Sequence, residues 1–118
     1  MWFYNLIFET EKHAADIMRH EPRLCTILST VADFYHVRVR DMISARRTKD
    51  VMIPRQIAYY LCRELTLKSL PQIGVAFGGR DHTTILSGVR KIERQISGDG
   101  NLELQVQHLA RKLGGACA

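Results

Sequence analysis

No stretch of this chain approaches the roughly 20 consecutive apolar residues that cross a bilayer, which excludes a membrane-spanning helix. Cysteine is sparse. Cys25, Cys62 and Cys117 stand far apart, with no C-x-x-C pair and no neighbouring pair of histidines, so spacing offers a metal no ligand set. No metal or cofactor is expected. Cys25 and Cys62 fall on apolar helical faces and read as core residues, and Cys117 reads as a free thiol suited to a reducing compartment. Alternating apolar and polar residues never persist and no internal repeat occurs, so the sequence reads as all-α. The opening MWFYNLIF is apolar and aromatic but lacks a basic leader and runs straight into charge, unlike a secretory signal. A cytoplasmic location is expected.

What the chain does have is positive charge in one place. Its 118 residues suffice for one domain with a real core, and their net charge is +5. Residues 38 to 95 hold twelve Lys/Arg against five Asp/Glu, a local net of +7, leaving −2 for the remainder. That concentration suits a phosphate-facing surface, although a solvated basic face would look the same.

Three segments are expected: 1–23, an aromatic arm (Trp2, Phe3, Tyr4, Phe8) and a helix from Thr10 or Glu11 to His20; 24–97, the main domain; and 98–118, a last helix and tail. The main domain begins with a helix carrying Leu24, Ile27, Leu28, Val31 and Phe34 or Tyr35 on one face. A short turn near Asp41 to Ser44 should dock Met42 and Ile43. Residues 45–53, ARRTKDVMI, show no amphipathic period and read as a basic loop, with Pro54 in the first turn of the following helix. That helix should bury Ile57, Ala58, Leu61, Cys62 and Leu65 and expose Arg55, Tyr59 and Arg63. After a GDGN turn, Leu102, Val106, Leu109 and Leu113 form a stripe that could dock on the domain or on a second copy.

The most informative run is SLPQIGVAFGGRDHTT, residues 69–84. Ser69 and Gln72 have capping-box spacing, and Pro71 lies in the first turn, where a missing N–H costs nothing. Ile73, Ala76 and Phe77 share a face, and Gly78 with Gly79 ends the helix by allowing left-handed angles. Asp81 is placed to cap the next helix, putting His82, Thr83 and Thr84 in its first turn. This is the layout of a helix-turn-helix whose second helix reads base edges. Ile85, Val89, Ile92 and Ile96 give that helix a buried stripe, while Ser87, Arg90, Lys91 and Arg94 suit phosphate. Gly88 within it should cost roughly 1 kcal/mol relative to alanine unless a close helix or DNA backbone needs the space.

With these motifs in view, Leu24 to Ile96 closely resembles the carboxy-terminal DNA-binding domain (domain IV) of the bacterial replication initiator DnaA. The resemblance rests on the basic loop followed by PRQIAYYLCRELT, on SLPQIGVAFGGRDHTTI and on the terminal RKI. It implies an all-α fold with a helix-turn-helix of the TrpR-like DnaA carboxy-terminal type, extended by extra N- and C-terminal helices. It implies double-stranded DNA as partner, bound at DnaA-box-like sites, and a nucleoid-associated location. Base contacts are then expected from Arg55 in the minor groove and from Asp81, His82 and Thr83 in the major groove. Phosphate contacts are expected from Arg46, Arg47, Lys49, Lys68, Thr84 and Arg90. The sequence departs from the family in two places: Ser87-Gly88 stands where His-Ala is usual, and Tyr59-Tyr60 replaces smaller or Met-like residues. It also contains no G-x-x-x-x-G-K-[ST], so ATP-driven origin melting is not expected of this chain by itself.

The leading expectation is a non-enzymatic DNA-binding protein acting in or regulating replication initiation, or transcription, without its own ATPase. The alternative is an interaction protein that binds a full-length initiator, or itself through the aromatic arm or last helix. As an enzyme the chain would have only His82, Asp81 and Cys62 to offer, and these do not form a recognisable set.

Overall fold

The computed structural model describes residues 22–45 and 47–115. Among them six helices follow in order: α1 (Leu24–Tyr35), α2 (Val39–Met42), α3 (Lys49–Leu65), α4 (Leu70–Ala76), α5 (His82–Gly98) and α6 (Gly100–Gly115). No strand occurs among the described residues. The expected aromatic arm and first helix, together with Arg46 and Cys117, lie outside them.

The core forms where the apolar stripes meet. α3 runs through the middle and packs most extensively on α5, with α1 and α6 closing over it and α4 lying against α5. Ile27, Val31, Ile57, Leu61, Ile73, Phe77, Ile85, Val89, Ile92, Val106 and Leu109 are fully enclosed in one continuous cluster. The α6 stripe belongs to that cluster, so α6 docks on its own domain. The Tyr35 hydroxyl in α1 donates to Gln105 Oε1 of α6 at 2.7 Å, adding a polar tie beside the apolar one.

Four local expectations need correction. α3 begins at Lys49, so the basic loop is shorter than 45–53 and Pro54 is the sixth residue of a helix. Burial of Val51 anchors the additional turn, and a proline so near the start removes only one backbone hydrogen bond. α2 is displaced towards the N-terminus; Met42 is fully buried, but Ile43 is 36% exposed. Cys25 is exposed, because a position two residues before Ile27 lies about 200° around the helix from it. Cys62 is buried as expected, and burial pushes its thiol up to about 12, away from nucleophilic use. The fourth correction, that Arg55 and Tyr59 are buried, bears on the functional site.

Glu64, near the end of α3, is partly buried, and loss of hydration pushes its carboxyl up to about 7; Arg63 opposes the shift and Glu93 adds to it. The folded state therefore takes up a proton between about 4.5 and 7. Stability falls as pH rises through that window, because ionised Glu64 is poorly solvated. Glu64→Gln is expected to gain about 1 kcal/mol near pH 8, roughly 4–8 °C in Tm, and nothing near pH 4. Thermal unfolding followed by circular dichroism at both pH values decides, and equal gains at both would exclude ionisation as the cause.

Candidate nucleic-acid interface

The helix-turn-helix forms as its sequence dictates. Gln72 N–H donates to Ser69 Oγ at 3.3 Å and Ser69 N–H donates to Gln72 Oε1 at 2.8 Å, completing the capping box that starts α4. Phe77 ends α4, and Gly78 and Gly79 both adopt φ of 83°, the left-handed region that side chains resist. At Gly78 there is a second constraint: a Cβ there would sit 2.6 Å from the carbonyl oxygen of Ile43. The turn therefore lies directly against the segment following α2.

α5 starts with Asp81 at its N-cap, though its side chain makes no capping hydrogen bond of ordinary geometry. It accepts from the Thr83 hydroxyl at 2.8 Å and lies 3.0 Å from His82 Nδ1. The Thr83 hydrogen bond, and next among the favourable influences the neighbouring His82, hold the Asp81 carboxyl below its usual range. With Nδ1 facing the carboxylate, Nε2 is the imidazole nitrogen left to meet a ligand. Asp81, His82, Thr83 and Thr84 are all exposed, forming a polar first turn linked by its own hydrogen bonds.

Arg55 is 3% exposed. Its Nε donates to the carbonyl of Met42 at 2.7 Å, and its Nη2 donates to the carbonyls of Asp41 at 2.9 Å and Ser44 at 3.0 Å. Nη1 donates to the Met52 sulfur, at 3.7 Å, a weak acceptor. Burial, then the nearby Arg80 charge, hold this guanidinium below its ordinary value. Arg80, from the end of the helix-turn-helix turn, donates through Nη2 to the same Ser44 carbonyl, while its buried Nε has no hydrogen-bond partner among the described residues. The expectation of an exposed Arg55 fails because the α2 end folds across this side of α3, with carbonyls that require donors, and that of an exposed Tyr59 fails because Gly88 of α5 and the Phe77 ring cover it. Of the three residues expected on that side, only Arg63 is exposed.

Between the start of α3 and the start of α5 lies an open cleft of about 380 Å³. Three arginines, Arg47, Arg55 and Arg80, contribute to its lining, as do Thr83, Thr84 and Ser87 of α5. Tyr59 and Gly88 also border it. Thus the structure brings Arg47, Arg55, Thr83 and Thr84 to one cleft, with Asp81 and His82 immediately beside it in sequence. Lys49, at the first position of α3, and Lys68 and Arg90 are exposed but do not line the cleft. Sequence reasoning overlooked Arg80. Its place after FGG flagged a basic residue, but not the bond to a carbonyl 36 residues earlier.

Among the described residues, no group of three or more His, Cys, Asp or Glu side chains is arranged to hold a metal ion.

Comparison with known proteins supplies the context. A profile of the family described as bacterial DnaA protein helix-turn-helix matches residues 25–92. The chromosomal replication initiator protein DnaA of Citrifermentans bemidjiense is 47% identical over 87 residues, covering 74% of this chain and 19% of the relative. That of Burkholderia multivorans is 46% identical over 107 residues, covering 91% and 20%. That of Ruegeria sp. is 43% identical, covering 88% and 23%. The chain spans about a fifth of the length of the curated relatives it matches. A crystal structure of a DNA replication initiation factor superposes with a TM-score of 0.72 at 30% identity, covering 91% of this chain and 32% of that one.

Removing the Arg55 side chain takes the donor from the Met42 carbonyl and one donor each from the carbonyls of Asp41, which Ser44 also reaches, and of Ser44, which Arg80 also reaches. Arg55→Ala is expected to lose about 3 kcal/mol of stability, and Arg55→Lys most of the same, since an ammonium lacks the planar fork. Urea unfolding measures the loss, and amide exchange at Ile43 and Ser44 should quicken. Unchanged exchange there would show that the guanidinium does not hold this turn.

Proposed function

The chain belongs to the bacterial DnaA helix-turn-helix family, and from that premise we propose that it binds duplex DNA sequence-specifically at DnaA-box-like sites. The observation carrying this reading is the juxtaposition of the exposed Asp81–Thr84 turn of α5 with a cleft lined by three arginines. Asp81, His82 and Thr83 meet base edges in the major groove, where a carboxylate accepts from a cytosine amino group and an imidazole or hydroxyl completes the pattern. Thr84, Arg46, Arg47, Lys49, Lys68 and Arg90 hold the phosphates on either side. The chain occupies such sites as a regulator of initiation or as a competitor for them. Its surroundings are the nucleoid.

The minor-groove role assigned to Arg55 requires an exchange. At 3% exposure the guanidinium cannot touch a base edge, so contact means leaving the Asp41, Met42 and Ser44 carbonyls for acceptors in the groove. Nη1, whose acceptor is the weak Met52 sulfur, leads that exchange. The narrow minor groove of an A·T tract supplies the negative potential that favours it.

Selection from random duplexes tests this reading. The unmutated protein is expected to enrich one short motif, and His82→Ala with Thr83→Ala to lose it, at about 1–3 kcal/mol per base contact. Lys49→Ala should weaken all sequences alike and lower the slope of log affinity against log salt by about one. An unenriched pool for the unmutated protein removes sequence-specific binding. Absence of salt-dependent duplex binding, combined with retention of a full-length initiator, supports the interaction-protein alternative instead.

A further inference from the structure

Tyr59 is only 2% exposed, and its ring lies beneath the recognition helix at Gly88. A Cβ at Gly88 would stand 2.6 Å from Tyr59 Cδ2 and 3.1 Å from Cε2, well inside van der Waals contact, with Gln56 Cγ at 3.4 Å. The ring has little room to withdraw. Its edge meets the fully buried Phe77 ring, with centroids 4.6 Å apart and planes at 79°. Phe77 ends the first helix of the helix-turn-helix, so one aromatic stack runs from α4, through α3, to the underside of α5.

Gly88 lies four residues beyond Thr84, on the same face of α5, and Thr83, Thr84 and Ser87 line the cleft with it. The height of the helix above Tyr59 therefore sets how far this first turn projects. Glycine within a helix costs roughly 1 kcal/mol relative to alanine, and the close approach of the ring is what it permits here.

We infer that Tyr59 and Gly88 form a positioning pair that sets the depth at which α5 presents its first turn to DNA, and so controls sequence discrimination. This rests on the DNA-reading function proposed above. A methyl at position 88 forces α5 outward by about 1 Å to regain ordinary contact. Base-edge hydrogen bonds lose much of their strength over such a shift, whereas attraction to phosphates acts over roughly 10 Å and persists. Discrimination should fall while non-specific binding remains.

The test uses the full chain, the duplex recovered by selection and a scrambled duplex of equal length. Affinities are measured by fluorescence anisotropy well below the Tm of each variant. Gly88→Ala is expected to lower the ratio of selected to scrambled affinity about tenfold, with scrambled affinity within about twofold of the unmutated protein. Adding Tyr59→Met, whose flexible thioether can yield to the methyl, should bring the ratio back to within about threefold. Should Gly88→Ala fail to fold, Tyr59→Met alone remains informative, since it leaves the helix without its rigid support and should also lower the ratio.

An unchanged ratio in Gly88→Ala, a loss that Tyr59→Met does not rescue, or an unchanged ratio in Tyr59→Met alone overturns the inference. If the unmutated protein prefers neither duplex, the DNA-reading function fails and this inference with it. If it discriminates but the two positions do not couple, the inference alone fails.

Discussion

A single buried guanidinium organises the end of this molecule that carries the arginine-lined cleft. Arg55 is taken out of water at a cost of several kcal/mol, which only well-placed acceptors can offset. The acceptors are backbone carbonyls at and just beyond the end of α2, where a helix runs out of intrahelical donors. One side chain thereby satisfies the end of one helix and fastens it to the start of another. Arg80 joins at the Ser44 carbonyl, and the close approach of Gly78 to Ile43 completes the attachment. The helix-turn-helix is thus tied to the basic segment through backbone oxygens rather than through ion pairs, which salt would screen.

That attachment places charge and polarity side by side. Arg47, Arg55 and Arg80 share a cleft without any carboxylate among its lining residues, so their fields add towards the opening. Beside it, Asp81 is the one acidic group of the reading turn, engaged by Thr83 and His82. In the proposed complex, attraction to phosphate and recognition of base edges are therefore served by adjacent but separate groups. Membership of the bacterial DnaA helix-turn-helix family gives this division its use.

Much of the fold was legible because its causes are local. The Ser69–Gln72 box, the glycine corner after Phe77 and the four-three-four spacing of Ile85, Val89, Ile92 and Ile96 each involve neighbours along the chain. Their geometry follows from backbone rules that operate without a partner. The failures also have a common cause. Lys49 to Ile53 carries no strong period, and it is helical because Val51 finds a core supplied by other elements. Cys25 reads as a core residue on an apolar helical face, yet the phase of α1 is set by Ile27 and Val31, and the cysteine is exposed.

For the site, the sequence by itself determined the exposed turn of Asp81, His82, Thr83 and Thr84, the basic character around it and the kinship of both motifs. Helix capping and charge density are properties of a short run of residues. Only the tertiary structure decided that Arg55 turns inward, that Arg80 joins it and that Gly88 leaves room for the Tyr59 ring. Those outcomes depend on which carbonyls and rings arrive from distant parts of the chain. Burial of a charge or the fit of a ring is a property of the meeting, not of either residue alone.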